Sequence, residues 1–255
     1  MRPMKIDTHV HLLIDKQSRP CKVQIRLLFK HACKIGLSGL VITEHRDAAH
    51  FESLVRRIFL QNEFGLDQVE SGHLRTNDGV SVYSGAEISI AGGGDVGVHA
   101  SPDVVLGLSN ARSEYTVASL RRALEESGEP FLMVAHHLLN PGKWLTELDV
   151  EPHLVHAIEI PGKAPNEIVE YISLVKSMNK PACSGSDAHV WIQLGAGSTD
   201  IELEAKDSYR KEFFAKVTSG NTRCHLSPDS EEIVGLAREC RAKLLAGNLE
   251  ETQNG

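Results

Sequence analysis

The chain has 255 residues, 41% of them apolar and 24% charged, with a net charge of −7. That balance supports a sizeable core, and because acidic surfaces repel polyanions it predicts no binding of duplex nucleic acid. Five scattered cysteines without a C-x-x-C pair, no apolar leader and no run of 18 apolar residues predict a reduced, cytoplasmic protein that does not enter a membrane.

Short β-branched runs alternate with longer segments of helical period. The first strand, Met4–His11, ends in Asp7-Thr8-His9-Val10-His11, and period two puts Asp7, His9 and His11 on one face. Two imidazoles at i and i+2 can grip one cation, and a nearby carboxylate can orient one of them through its other ring nitrogen. A helix over Val23–Ile35 leads to the strand Gly39–His45, apolar until Thr43-Glu44-His45; alternation turns Glu44 away from the metal side. A helix over Ala48–Glu63 and a strand over Val80–Ile90, carrying Glu87, come next. Ala91–Asp103, rich in Gly and Pro, reads as an irregular excursion before a strand over Val104–Ser109.

A helix over Val117–Ser127 precedes the strand Phe131–His137, which ends in His136-His137, and the strand His156–Pro161, which carries Glu159. After a helix over Pro165–Met178, the strand Pro181–His189 closes on Ser184-Gly185-Ser186-Asp187-Ala188-His189. Helices over Lys206–Thr218 and about Asp229–Ala246 follow, and the polar residues 248–255 read as a disordered tail. The alternation predicts an α/β fold with a mainly parallel sheet, a single-domain barrel over residues 1–247.

Six of the strand candidates end in His, Asp or Glu, at the end where parallel barrels carry their active sites. A serine nucleophile fits less well, because Ser186 lacks the G-x-S-x-G elbow. Gly92-Gly93-Gly94 lacks the phosphate-loop pattern and reads as a turn.

D-x-H-x-H at Asp7–His11, T-E-H at Thr43–His45, G-x-E ending at Glu87, A-H at His136 and S-D-A-H at Ser186–His189, in this order, resemble the PHP family, named for polymerase and histidinol phosphatase domains. The likeness spans residues 4 to about 200 and implies a distorted, TIM-like (β/α)7 barrel holding two or three divalent metals, Zn, Mn or Fe. It implies a first metal on His9, His11, Glu87 and Asp187, and a second on Glu87, His136 and either His99 or Asp103. A third would lie between His45, His189 and Asp15. This sequence carries His137 where the family often has Pro, and Leu12 where it has Ser or Thr.

The chemistry implied is hydrolysis of phosphate esters of small molecules or nucleotides, a short oligonucleotide included, by a hydroxide shared between metals. His137 and His99 are the candidate proton donors to the leaving group. Arg46, Lys143 and Lys163 follow ligand-bearing strands and are candidates for holding phosphate. The alternatives are an amidohydrolase-type barrel cleaving C–N or C–O bonds, which usually needs a strand-end Lys, and a non-catalytic PHP-like module, which often loses ligands.

Overall fold

The computed structural model describes residues 3–204 and 208–253. Strand β1 (Met4–Val10) is followed by helix α1 (Lys22–Lys34) and strand β2 (Gly39–Ile42). α1 buries Ile25, Leu28, Phe29 and Ala32, one stripe at i, i+3, i+4 and i+7, against the outside of the sheet. Helix α2 (Phe51–Val55) runs into a π-helical turn at Arg56–Leu60, and a hairpin of β3 (Asp67–Glu70) and β4 (His73–Arg75) leads to β5 (Ser81–Ser89). Then come β6 (Asp95–His99), α3 (Pro102–Gly107), α4 (Val117–Glu126), β7 (Leu132–His136) and β8 (Ala157–Glu159). The order finishes with α5 (Ile168–Ser177), β9 (Ala182–Cys183), β10 (Gly197–Ile201), α6 (Tyr209–Thr218), β11 (Arg223–Leu226) and α7 (Ser230–Gln253).

The strands lie in the order β11-β10-β1-β2-β5-β6-β7-β8-β9, with the β3–β4 hairpin hung on β5. A hydrogen bond from Thr222 Oγ1 to the Ala182 carbonyl (3.0 Å) draws the two ends together, so the sheet is nearly a closed barrel. Ile6, Val41, Tyr83, Leu132, Val134, Ala157 and Cys183 fill its interior, and Phe213, Phe214 and Val217 of α6 pack into that cluster. A second, larger apolar layer joins the outer face of the strands to the surrounding helices. This is the distorted TIM-like, single-domain fold expected from sequence.

The sheet is mixed. β1–β2, β2–β5, β7–β8 and β8–β9 are parallel, whereas β6 runs antiparallel to both β5 and β7, and β10 antiparallel to β1 and β11. The region expected to be irregular, Ala91–Asp103, therefore contains a barrel strand. Gly97 lies in it because the His136 ring occupies the space of a side chain: a Cβ there would stand 2.2 Å from His136 Nε2. The strand expected over Val104–Ser109 is helix α3, with Pro102 in its first turn and Val105 buried, since a short apolar run fits either structure. α7 continues to Gln253, past the start of the expected tail at Asn248; residues 254–255, and 206–207 at the start of the expected fifth helix, lie outside the described residues. Among the described residues no helix is long and apolar enough to cross a membrane.

Candidate metal centre

The site begins with an irregularity in β1. Its register against β2 shifts between Asp7 and Val10. Ile6 faces the barrel interior and Val10 the outer layer, although strict alternation would keep them together. The shift turns His9 and His11 into the mouth of the barrel and leaves Asp7 to the side. The Asp7 carboxylate accepts the backbone N–H groups of Ser186 (2.9 Å) and His9 (3.3 Å), tying β1 to the S-D-A-H loop. Burial nevertheless pushes its pKa up to about 7 against those bonds. Asp7 is a buttress and does not join the ligand groups that His9 and His11 form.

Ser184–His189 crosses β1 as a loop. Asp187 N–H donates to the His9 carbonyl and His11 N–H to the Ala188 carbonyl, both at 2.8 Å. The approach is so close that a Cβ on Gly185 would lie 2.5 Å from His9 N. Asp187 itself sits at φ 54°, which aims its carboxylate back at the histidines.

Three groups of side chains converge there: His9, Glu87, His136 and His137; His11, His45 and His189; and His9, His11 and Asp187. His9 Nε2 and His11 Nε2 face each other at 2.9 Å, and Asp187 Oδ1 lies 3.0 Å from the latter. Glu87 Oε1 stands 2.8 Å from His136 Nδ1 and Oε2 2.7 Å from His45 Nδ1, so this one carboxylate spans two groups. Behind the ring nitrogens sit two more carboxylates. Glu159 Oε1 is 2.8 Å from His9 Nδ1 and its Oε2 3.2 Å from His137 Nδ1. Glu44 Oε1 is 3.2 Å from His11 Nδ1, while Oε2 accepts the backbone N–H groups of Leu12 (2.9 Å) and Leu13 (2.8 Å).

These contacts test whether divalent metals fit. A carboxylate at each Nδ1 favours the tautomer that carries its proton there, so that both Nε2 lone pairs would face one point once a cation displaced the proton His11 otherwise holds. Four buried carboxylates, Glu44, Glu87, Glu159 and Asp187, also need positive charge nearby. Burial would raise their pKa values, but the imidazoles around Glu87 and Glu159, and Lys163 with His9 and His11 around Asp187, hold these three well below the usual range. Glu44 is held at about 2, His11 first among its partners. Burial and Lys163 work against a proton on His137, yet Glu159 and Glu87 outweigh them and raise its pKa to about 10; Glu44 and Asp187 likewise outweigh burial at His11, also about 10. Ionised acids, two proton-attracting histidines in His11 and His137, and His9 held down at about 4 by burial form a donor set that a cation suits, and mixed N/O ligation is that of a divalent transition metal.

Seven of the ligands expected from sequence come together: His9, His11, His45, Glu87, His136, Asp187 and His189. Two do not. His99 pairs with Leu132 at the start of β7, whereas Asp95 pairs with His136 at its end. Because β6 is antiparallel, His99 points to the floor of the barrel, its ring 6.0 Å from that of Phe213, and cannot serve as ligand or proton donor at the mouth. Asp103, the other option, lies in α3. Asp15 closes its own turn, accepting from Gln17 N (2.9 Å), Ser18 N (2.7 Å) and Ser18 Oγ (2.7 Å); His11 stands in its place in the group with His45 and His189.

Of the candidate phosphate holders, Arg46 is spent on the carbonyls of Leu108 (2.9 Å) and Leu106 (3.2 Å), and Lys143 pairs with Asp95. Lys163 reaches the site: its Nζ bonds Asp187 Oδ2 and lies 3.4 Å from His137 Nε2. His137 was read from sequence as a proton donor, and the structure adds it to a ligand group. The two supporting carboxylates carry no ligand-like spacing; from sequence both read as supports or structural ion pairs in preference to ligands, with no partner that the sequence could name.

The sequence matches a family model described as PHP-associated over residues 166–222. A comparison with curated proteins finds no match. Among solved structures, PsfC from Pseudomonas syringae PB-5123 superimposes with a TM-score of 0.88 at 33% identity, covering 96% of this chain and 100% of PsfC. The lesion-specific endonuclease EndoQ from Pyrococcus furiosus superimposes with a TM-score of 0.62 at 18% identity, over 87% of this chain and 57% of its own. Endonuclease Q in complex with a 27-mer duplex carrying an abasic lesion at the active site gives the same score and identity, over 88% and 58%. At that identity the likeness is one of fold. It still overturns the exclusion of duplex nucleic acid drawn from net charge, since a protein that contains this fold is seen with a duplex at its active site.

Proposed function

The chain belongs to the PHP family, and from that premise we propose that it hydrolyses phosphate esters at the His9–His11–Asp187 centre with bound divalent metals. It is a hydrolase acting on ester bonds. The observation that carries the reading is the facing pair of Nε2 atoms, 2.9 Å apart, with Glu159 and Glu44 behind their Nδ1 atoms. When bound, two or three cations of zinc, manganese or iron supply Lewis acidity and a water acidic enough to ionise near neutral pH.

The chain's own residues do the rest. His9, His11 and Asp187, with Glu87 3.4 Å from His9 Nε2, would hold one cation; His136 and His137 with Glu87, and His45 and His189 with His11, would extend the site on either side. Glu159 and Glu44 fix the ring orientations. Lys163, beside Asp187, offers an ammonium to a non-bridging phosphoryl oxygen, where charge grows as the ester bond breaks. His137, whose Nδ1 lies 3.2 Å from Glu159 Oε2, stands with Nε2 beside Lys163 and is our candidate to protonate the leaving oxygen.

Because His9, His11, Glu87 and His136 are buried, the reacting group must be small and projecting. A phosphate on a small molecule or nucleotide meets that requirement. The test is the metal-loaded protein against a panel of phosphate monoesters, diesters and an abasic-site duplex, alongside elemental analysis. We expect two or three metals per chain and turnover that Asp187→Asn and His9→Ala reduce by several orders of magnitude with unchanged circular dichroism. One metal or none with activity intact, or turnover within a few-fold in those variants, would refute the assignment.

A further inference from the structure

The outside of the barrel carries a cavity of about 380 Å³ that the chemistry above does not use. Its floor is the outer face of β1, β10 and β11. Ile6 fills the barrel interior, so alternation turns Lys5 outward. Lys5 stands opposite Asp200 on β10, and Ser198, two residues away, stands opposite His225 on β11; Lys5, Ser198 and His225 therefore share that face. The walls are apolar: Ile35 at the end of α1, Trp191 and Leu194 in the short 3-10 turn after the S-D-A-H loop, and Ile233 of α7. His31 of α1 closes one side, its ring edge-on to that of Trp191 with 4.9 Å between centroids.

An apolar wall with one aromatic ring and a few convergent polar groups, at this volume, is the make-up of a small-molecule site. Its charge is one-sided. Lys5, His31 and His225 line it with the hydroxyls of Ser198 and Ser227, and among the described lining residues there is no Asp or Glu. Lys5 is half-buried, yet among the described residues it forms no ion pair. Asp200, its cross-strand neighbour, does not line the cavity and leaves Oδ1 buried without a partner. A half-buried ammonium without a counter-ion is costly, and an anion in the cavity offsets that cost. Burial and Lys34 lower the pKa of His31, so Lys5 supplies the charge and the imidazole a hydrogen bond. On the apolar side, Ile35 remains 40% exposed, surface that a ligand body would cover.

We infer that this cavity binds a small amphipathic anion, an apolar ring or chain ending in one carboxylate, sulfonate or phosphate, with Lys5 on the charged head and Trp191 against the body. A lysine ammonium is a compact point charge that accepts any of these heads, and an indole offers a broad apolar contact. The site stands apart from the metal centre but shares an element with it. Gln193 Nε2, in the same turn as Trp191, donates to the carbonyls of Ser186 (2.9 Å) and Asp187 (3.0 Å), so the bound anion rests on the turn that braces the S-D-A-H loop.

The test uses the purified protein with anilinonaphthalene sulfonate as the anionic probe and phenylnaphthylamine, the same ring system without its sulfonate, as the neutral counterpart. Fluorescence titration gives stoichiometry and Kd, and circular dichroism checks that each variant is folded. We expect one probe per chain, and a Kd about tenfold higher both for the neutral counterpart and for the probe on Lys5→Gln, the loss of one charge-assisted contact. Lys5→Arg should bind the probe within about twofold of wild type, as should Lys30→Gln, a charge-matched control on the exposed face of α1. In heteronuclear magnetic resonance spectra the indole N–H signal of Trp191, assigned with Trp191→Phe, should shift as the probe binds while that of Trp144 stays in place. Equal affinity for the neutral counterpart, wild-type affinity in Lys5→Gln, an equal loss in Lys30→Gln, a shift confined to Trp144, or no binding by wild type would each overturn the inference.

Discussion

Glu159→Gln isolates the support behind the metal centre. The side chains are nearly isosteric, so no cavity opens, but their hydrogen bonding differs. The carboxylate accepts from His9 Nδ1 at 2.8 Å, and its other oxygen faces His137 Nδ1 at 3.2 Å as an ion pair without a hydrogen bond. An amide has one oxygen and one NH2, so it can satisfy one imidazole N–H while presenting a donor to the other. Each lost charge-assisted bond is worth about 1.5–3 kcal/mol, and a misfaced His9 must change tautomer or rotate its Nε2 out of the ligand position. Loss of such a support lowers metal affinity about 10–100-fold, or roughly 1.4–2.8 kcal/mol. Competition with a chromophoric chelator would measure this, with circular dichroism as the check on folding. Affinity within about twofold of wild type would show that Glu159 does not orient the ligand and that the contacts at Nδ1 do not set metal affinity.

Glu44→Gln should reduce both metal affinity and stability, the latter by roughly 1–3 kcal/mol, because Glu44 also accepts two backbone N–H groups in a buried site; chemical denaturation and chelator competition would separate the two effects. Asp15→Ala should leave the metal content of the purified protein unchanged by elemental analysis, since its carboxylate serves its own turn. Chelation should lower the thermal midpoint by about 5–10 °C, reversibly on adding metal, if the cations bind at about a hundred times their dissociation constant. His156, whose Nδ1 accepts from Met133 N–H at 2.9 Å, is lowered to about 4 by burial, Arg121 and Lys180. Between pH 4 and 6.5 the unfolded chain therefore binds more protons there, so stability rises with pH in that window and is lost as pH falls through it. Discounted for partial exposure the effect is about 1–2 kcal/mol, and denaturation of His156→Gln at pH 4.5 and 7 should show a flatter dependence than wild type.

The centre was legible in the sequence wherever ligands end strands that share the barrel's common direction. His9, His11, His45, Glu87 and His136 follow apolar runs, and parallel strands deliver such ends to one mouth of a barrel whatever the loops between them do. Asp187 and His189 were legible for another reason, since S-D-A-H is a local motif whose backbone bonds to β1. What one-dimensional pattern could not contain was direction and register. β6 is a strand in a Gly-rich segment, and its antiparallel run sends His99 to the floor. One register shift in β1 took Asp7 off the face it was expected to share with His9 and His11. Glu44 and Glu159, 33 and 150 residues from the rings they hold, became partners only when barrel closure made them neighbours. Side-chain periodicity along a strand is local chemistry, whereas pairing direction, bulges and helix docking are settled by burial over the whole chain, and there the tertiary structure alone decided.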